Sequence, residues 1–321
     1  MSASLPRWLS SRPPSAALEI DARRVTAVVL GRQGGAHIVS SHATEPLPAG
    51  AVEPSLNAIN VHDPDALASA IRSVLERVTP RPRRVALVLP DTVAKFSLLR
   101  FEKTPAKVQD LDQLIRWQVR KAAPFRIEDA QLAWIPGVML PGGGREYLVS
   151  VVRRDVIESY ETACVAAGAQ PGIVDLASVN LVNAVLALHA GESAGSDWLL
   201  VHVAADYGTV AVVRGRDVIF FRTRPADRQD DLADLVHQTS MYHEDRLGGG
   251  GFARVVLAGA SSRGHETADR IRQDLEQRVG SPVEALDFRP TVALRDRIAA
   301  GPDVLDALAP SVGVLLRERV A

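Results

Sequence analysis

The chain has 321 residues, 46% hydrophobic, 5% aromatic and 23% charged, a balance that excludes a disordered polymer or a coiled coil and leaves room for about two domains. Lys and Arg number 37 against 38 Asp and Glu, a formal net charge of -1 with no long run of one sign, so non-specific nucleic-acid binding has no electrostatic footprint. The lone cysteine, Cys164, excludes an internal disulfide framework and multi-cysteine metal sites, and in the apolar-periodic run VIESYETACVAAG it reads as a core residue. Only four basic residues are lysines: Lys95, Lys103, Lys107 and Lys121.

The first sixteen residues, rich in Ser and Pro, carry Arg7 and Arg12 but no apolar segment, so they read as a flexible tail and not a secretory leader. Trp8 in this tail has at most a weak reach for a membrane surface. The greasiest stretches, 181–190 and 198–205, fall short of the 18 to 20 apolar residues, roughly, that a membrane span needs. The expectation is a cytoplasmic protein.

ALEIDARRVTAVVL (17–30) alternates and runs apolar, GRQGG supplies a turn and AHIVSSHA returns, which predicts a β-hairpin. Asp63-Pro64 reads as N-cap and first helical residue, with Leu67, Ala70, Ile71, Val74, Leu75 and Val78 on one face. Strands follow at 85–90 and 95–101. A helix is predicted over 108–123 and stopped by Pro124, with Leu111, Leu114, Ile115, Val119 and Ala122 on its apolar stripe and Trp117 at the stripe's edge. The turn PGGG joins a second hairpin, a helix runs from about 154 to Gly168, and a strand at 171–177 leads into another helix. Residues of about 85–160 form a strand, helix, hairpin module small enough to be an insertion.

The polar stretch 191–197 marks a domain break, dividing 17–190 from 198–321. Strands over 198–224, with turns at Tyr207-Gly208 and Gly215-Arg216-Asp217, restart the first pattern. A helix (about 227–246), a strand (254–259), a helix, the strand VEALDF and two terminal helical segments complete the chain. Two halves with one βββαβα rhythm predict a duplicated α/β fold with a cleft between them.

No HExxH, GxSxG or paired CxxC motif is present. His237 and His243 are six apart on one helix and read as solvated. Gly248 to Gly251 follow a helix and precede a strand, the wrong order for a phosphate loop, and read as a connector.

LDQLIRWQVRKAAPFRIEDAQLAW (111–134), VVRRDVIESYETACVAAGAQPGIVDLASVNLVNA (151–184) and LAPSVGVLLRE (308–318) resemble the type IV pilus assembly PilM family of actin-like proteins, relatives of FtsA. The resemblance covers about 17 to 318. It implies an actin-like, ribonuclease H-like fold with an inserted FtsA/PilM-type (SHS2) subdomain. It also implies an adaptor at the cytoplasmic face of the inner membrane that binds the N-terminal tail of a PilN-like protein in a groove beside that subdomain, linking it to the pilus motor.

In such folds two hairpin turns clamp nucleotide phosphates, and this chain departs from the family's Asp-x-Gly at both. The first turn reads Glu19, Ile20, Asp21, with Thr26 five residues on; the second reads His202, Val203, Ala204, with Thr209 in the same pocket set. Only glycine lets a backbone N–H approach a phosphate without a Cβ in the way, and a hard oxygen is what Mg²⁺ requires. An Asp21 carboxylate at about 4 Å from a phosphate costs roughly 1 kcal/mol in water and several at lower dielectric. On the adenosine side Gly259 is kept and the second glycine is Ala260. The expectation is impaired or lost binding of ATP and Mg²⁺, with no catalytic residue and no metal site assigned. Trp117, Phe125 and Trp134 are the candidates for partner contact. The alternatives are an active Mg-ATP-dependent actin-family ATPase and a GspL-like scaffold of type II secretion.

Overall fold

The computed structural model describes residues 14–189, 196–226, 231–295, 298 and 301–317; Trp8 and most of the 191–197 stretch lie outside them. Three strands open the chain, β1 (Ala16–Ile20), β2 (Arg24–Gln33) and β3 (Ala36–Pro46), followed by α1 (Pro64–Arg77) and β4 (Arg84–Leu89). The Asp63 carboxylate accepts from Ala66 N at 2.9 Å, the N-cap that the Asp-Pro pair predicts. After one 3-10 turn (Asp91–Val93) come β5 (Ala94–Phe101), α2 (Val108–Val119), β6 (Ala130–Met139) and β7 (Arg145–Arg153). Then α3 (Arg154–Ala166), β8 (Gln170–Leu176) and α4 (Ala177–Leu188) complete the first half.

The second half runs β9 (Asp197–Val203), β10 (Tyr207–Arg214), β11 (Asp217–Pro225), α5 (Asp231–Leu247), β12 (Arg254–Ala258), α6 (His265–Val279), β13 (Val283–Ala285), β14 (Val292–Leu294) and α7 (Pro302–Leu316). One sheet has the order β14-β3-β2-β1-β4-β8, a second β11-β10-β9-β12-β13, and a small third β5-β7-β6. Apart from β14 the two large sheets repeat one topology: an antiparallel meander, then two strands parallel to its first member.

The outer face of the first sheet is covered by α1 and α3 in a core that includes buried Cys164, whose thiol burial pushes up to about 12. α5 and α6 cover the second sheet. Between the sheets lie α4 and α7, packed together where Gly313 meets α4; a Cβ there would collide with the Asn180 carbonyl. α7 lies against β1, β2 and β4 of the first half.

Five expectations need correction. Val292–Leu294 form a strand, β14, where a helical segment was expected; the three residues pair in parallel with the open edge of β3, so a segment of the second half completes the first half's sheet. α2 stops at Val119: Ala122 and Ala123 N–H both turn back to the Val119 carbonyl, because a residue before proline avoids the α region, and Ala122 is exposed. Trp117 lies opposite the Leu111, Ile115, Val119 stripe and is 65% exposed. The β9–β10 turn occupies 204–206, with Tyr207 and Gly208 already paired in the ladder. β4 belongs to the first large sheet, so the small sheet with α2 spans 94–153.

Candidate functional site

A cleft of about 490 Å³ opens where the β1–β2 turn, the β9–β10 turn and the turn after β12 converge. Of the residues singled out from sequence, Glu19, Asp21, His202, Ala204 and Gly259 line it, joined by Arg23, Tyr207, Arg263 and Asp306. Thr26, Thr209 and Ala260 are buried behind the wall. Thr26 pairs across from Glu19 and its hydroxyl meets that of Thr44 at 3.2 Å.

The backbone donors at two of these turns already have partners. Asp21 Oδ1 accepts from Arg23 N at 2.7 Å and Arg24 N at 2.9 Å, and the Arg24 guanidinium donates to Oδ2 at 3.2 Å. Asp306, from α7, accepts from Ser261 N at 2.8 Å in the turn after Gly259. Gly259 itself has φ +83, and a Cβ there would strike the Val203 carbonyl oxygen, so this turn needs its glycine for packing alone.

Burial pushes the Glu19 carboxyl up to about 8, against a smaller opposing effect of Arg24, and its Oε2 has no hydrogen-bond partner among the described residues. Asp206 is likewise raised by burial. Arg263, held below its usual value by burial and by Arg23, donates to the Ala204 carbonyl.

Behind the cleft sits a polar cluster in which His202 and Thr209 meet Asp91 and Ser178, two residues that the sequence reading missed. Asp91, fully buried just past β4, accepts from Ser178 N at 3.0 Å, from the Ser178 hydroxyl and from Thr209 Oγ1 at 2.8 Å. It thus caps α4, which has no cap of its own, and ties both halves together. Ser178 Oγ lies 2.8 Å from His202 Nδ1; with the hydroxyl proton directed at Asp91, the ring N–H donates to Ser178. The serine stands between the acid and the histidine, so this is a structural relay and not a nucleophile activated by a base. An acid immediately beyond a buried strand's C-terminal end was the available signal for Asp91.

His243 also departs from its expected solvated position. It is fully buried, with Nε2 2.6 Å from Asp197 Oδ2, its ring stacked on Phe252 and the Gly249 backbone against it; Arg214 holds the same carboxylate at 2.6 and 2.8 Å. The four-glycine stretch is the connector that wraps this cluster. Among the described residues no group of three or more His, Cys, Asp or Glu side chains is placed to hold a metal ion.

A second feature is a trough between the small sheet and the first large one. Two cavities, of about 500 and 380 Å³, share Ala133, Ser150, Val174, Asp175 and Leu176 and so form one channel. Consecutive residues of β8 and of β6 line it, and since side chains alternate along a strand, consecutive lining residues mean that the strand edge faces the channel. Both are terminal strands of their sheets. Phe96, Leu148, Leu186 and Leu316 make the floor apolar.

The three candidate aromatics do not converge. Trp134 borders the trough, with its ring edge-on to Tyr147 and its indole N–H 3.4 Å from Asp112. Phe125 sits half-buried in a shallow hollow with Arg120 and Arg126, and Trp117 projects from α2's outer face.

The sequence model for the type IV pilus assembly protein PilM matches residues 17–244. The chain belongs to the PilM family. Among solved structures, one of a PilM-PilN type IV pilus biogenesis complex is similar at 18% identity, covering 95% of this chain and 97% of that one, with a TM-score of 0.78. A Bacteroides thetaiotaomicron protein with an actin-like ATPase fold is similar at 8% identity, 98% and 100% coverage and a TM-score of 0.55. The cytoplasmic domain of EpsL, an inner-membrane component of the Vibrio cholerae type II secretion system, is similar at 10% identity, 94% and 95% coverage and a TM-score of 0.52. The fold is therefore α/β and actin-like: the strand rhythm implied the duplication, and the family resemblance the actin-like fold.

Proposed function

We propose that this PilM-family chain is an adaptor of type IV pilus assembly. It holds the N-terminal tail of a PilN-like inner-membrane protein in the trough and transmits that anchorage to the pilus motor from the cytoplasmic face. The small sheet with α2 is the counterpart of the family's inserted SHS2-type subdomain. The observation that carries the reading is the trough itself, a channel with an apolar floor and charged rims, bordered by two terminal strands, that offers an extended peptide both side-chain and main-chain contacts.

The interdomain cleft, on the same proposal, is a nucleotide site that has lost its purpose. Asp21 and Asp306 already accept from backbone N–H groups at two of its turns, and the same carboxylates repel a phosphate. Glu19, neutral below about 8, is a poor Mg²⁺ ligand at neutral pH.

Calorimetric titration of the chain with a synthetic N-terminal peptide of the PilN-like protein tests the first half. Ala133 and Ser150 are cross-strand neighbours at the centre of the channel, so Ala133→Arg and Ser150→Arg should abolish binding while leaving the thermal melt intact. Binding that ignores both obstructions would refute the trough as the site.

A further inference from the structure

We propose that the outer face of α2 docks directly on an anionic lipid bilayer, independently of the peptide trough, with Trp117 as the interfacial anchor. On this helix Leu111, Ile115 and Val119 turn into the small sheet, so Gln113 and Trp117 stand on the opposite side, with Arg120 and Lys121 exposed just past its last residue. A tryptophan 65% exposed on this outer side is not supporting any core. Arg120 and Lys121, one turn on, make no side-chain hydrogen bond or ion pair among the described residues. Their long stems can lie beside the indole while their charges reach lipid phosphates.

Charge is partitioned across the molecule in the matching sense. Residues 94–153 contain ten basic and six acidic side chains, all four lysines included, whereas the rest of the chain has 27 basic and 32 acidic. The small unit is thus a positive pole on a body of net negative charge, and a negatively charged surface would be met by this end first. A lipid surface suits the face better than an acidic protein. Aromatic anchors at protein interfaces sit in pockets within an apolar patch that excludes water, whereas the residues beside Trp117 on this face are polar or charged. An amphipathic ring flanked by basic stems is the composition that settles at a headgroup boundary. Asp110 on the same face and the Arg126 contacts to Glu128 and Asp129 temper the charge, which keeps the interaction weak and reversible.

Flotation of the full chain with vesicles, in the absence of any partner protein, tests this. Phosphatidylcholine vesicles should leave it in solution, and an equimolar mixture of phosphatidylcholine and phosphatidylglycerol should carry it up at low salt. Trp117→Ala, and separately Arg120→Glu with Lys121→Glu, should each lower that partitioning by at least about tenfold, with Trp117→Phe restoring much of it. Both are exposed-site changes, and circular dichroism confirms that the variants are folded. Failure of the unaltered chain to bind anionic vesicles overturns the proposal and leaves an acidic protein as the occupant of the face. Binding unchanged in either variant also overturns it, and points to the basic N-terminal tail.

Discussion

Asp306 on α7 accepts a hydrogen bond from Ser261 N at 2.8 Å, so a carboxylate from the last helix occupies a backbone donor of the turn that opens with Gly259. Asp21 does the same across the cleft at the β1–β2 turn. Replacing both, Asp21→Gly with Asp306→Ala, frees these donors and removes two negative charges from the wall. The double variant should gain a Mg-ATP-dependent rise in melting temperature of a few degrees at saturation, whereas the unaltered chain should show none. Thermal-shift titration of the two proteins checks this, and a shift in the unaltered chain would revive the ATPase alternative.

Glu19 carries a pH signature. Its carboxyl ionises near 4.5 when unfolded and near 8 when buried, so between these values the folded chain keeps a proton that the unfolded chain has released. The group's contribution to stability therefore declines as pH rises from about 4.5 to about 8 and is flat outside that window. Glu19→Gln should match the unaltered chain at acid pH and melt higher on the alkaline side of 8, as paired melts across pH would show.

The Asp91 cluster joins the halves, since Ser178 and Thr209 both donate to one buried carboxylate. Ser178→Ala should cost about 1–3 kcal/mol by denaturant titration, and Asp91→Ala more, because it removes the shared acceptor of the Thr209 and Ser178 hydroxyls and uncaps α4. Equal, negligible effects would mean that water replaces the carboxylate.

Gly313 is where α7 meets the backbone of α4. Gly313→Ala should destabilise by about 1–3 kcal/mol despite alanine's better helix propensity, since the helices cannot separate without disturbing the core shared by both sheets. Urea unfolding of this single variant is sufficient, and a stabilised protein would show that the crossing relaxes.

The strands and helices were legible wherever one periodicity dominated. Asp63-Pro64 with its apolar stripe gave α1, and the repeated meander with its following strand gave the duplicated α/β halves. Legibility failed where a partner distant in sequence decided the outcome. TVAL reads equally as helix or strand over so few residues, and only the open edge of β3 made it a strand. His243 looked solvated because its helix period is weak and its cover comes from Asp197, Phe252 and Gly249. Trp117 looked like a stripe-edge residue because aromatics are usually packed, and the orientation of α2 on its sheet leaves it outside.

For the candidate site, the sequence by itself determined which residue types stand at the phosphate turns: Asp21 and Ala204 where glycine is wanted, and Gly259 retained. Those facts are local, since a turn's tolerance of a side chain depends on a few consecutive residues. Asp21 folding back on its own turn is local too, since its partners are two and three residues on. Only the tertiary structure decided the other carboxylates: Asp306 arrives from the last helix, and Asp91 reaches across to Ser178 and Thr209. The trough was equally invisible, being made by two terminal strands from separate sheets. Hydrogen-bond partners and cavity walls are set by packing between segments many tens of residues apart, which no local pattern encodes.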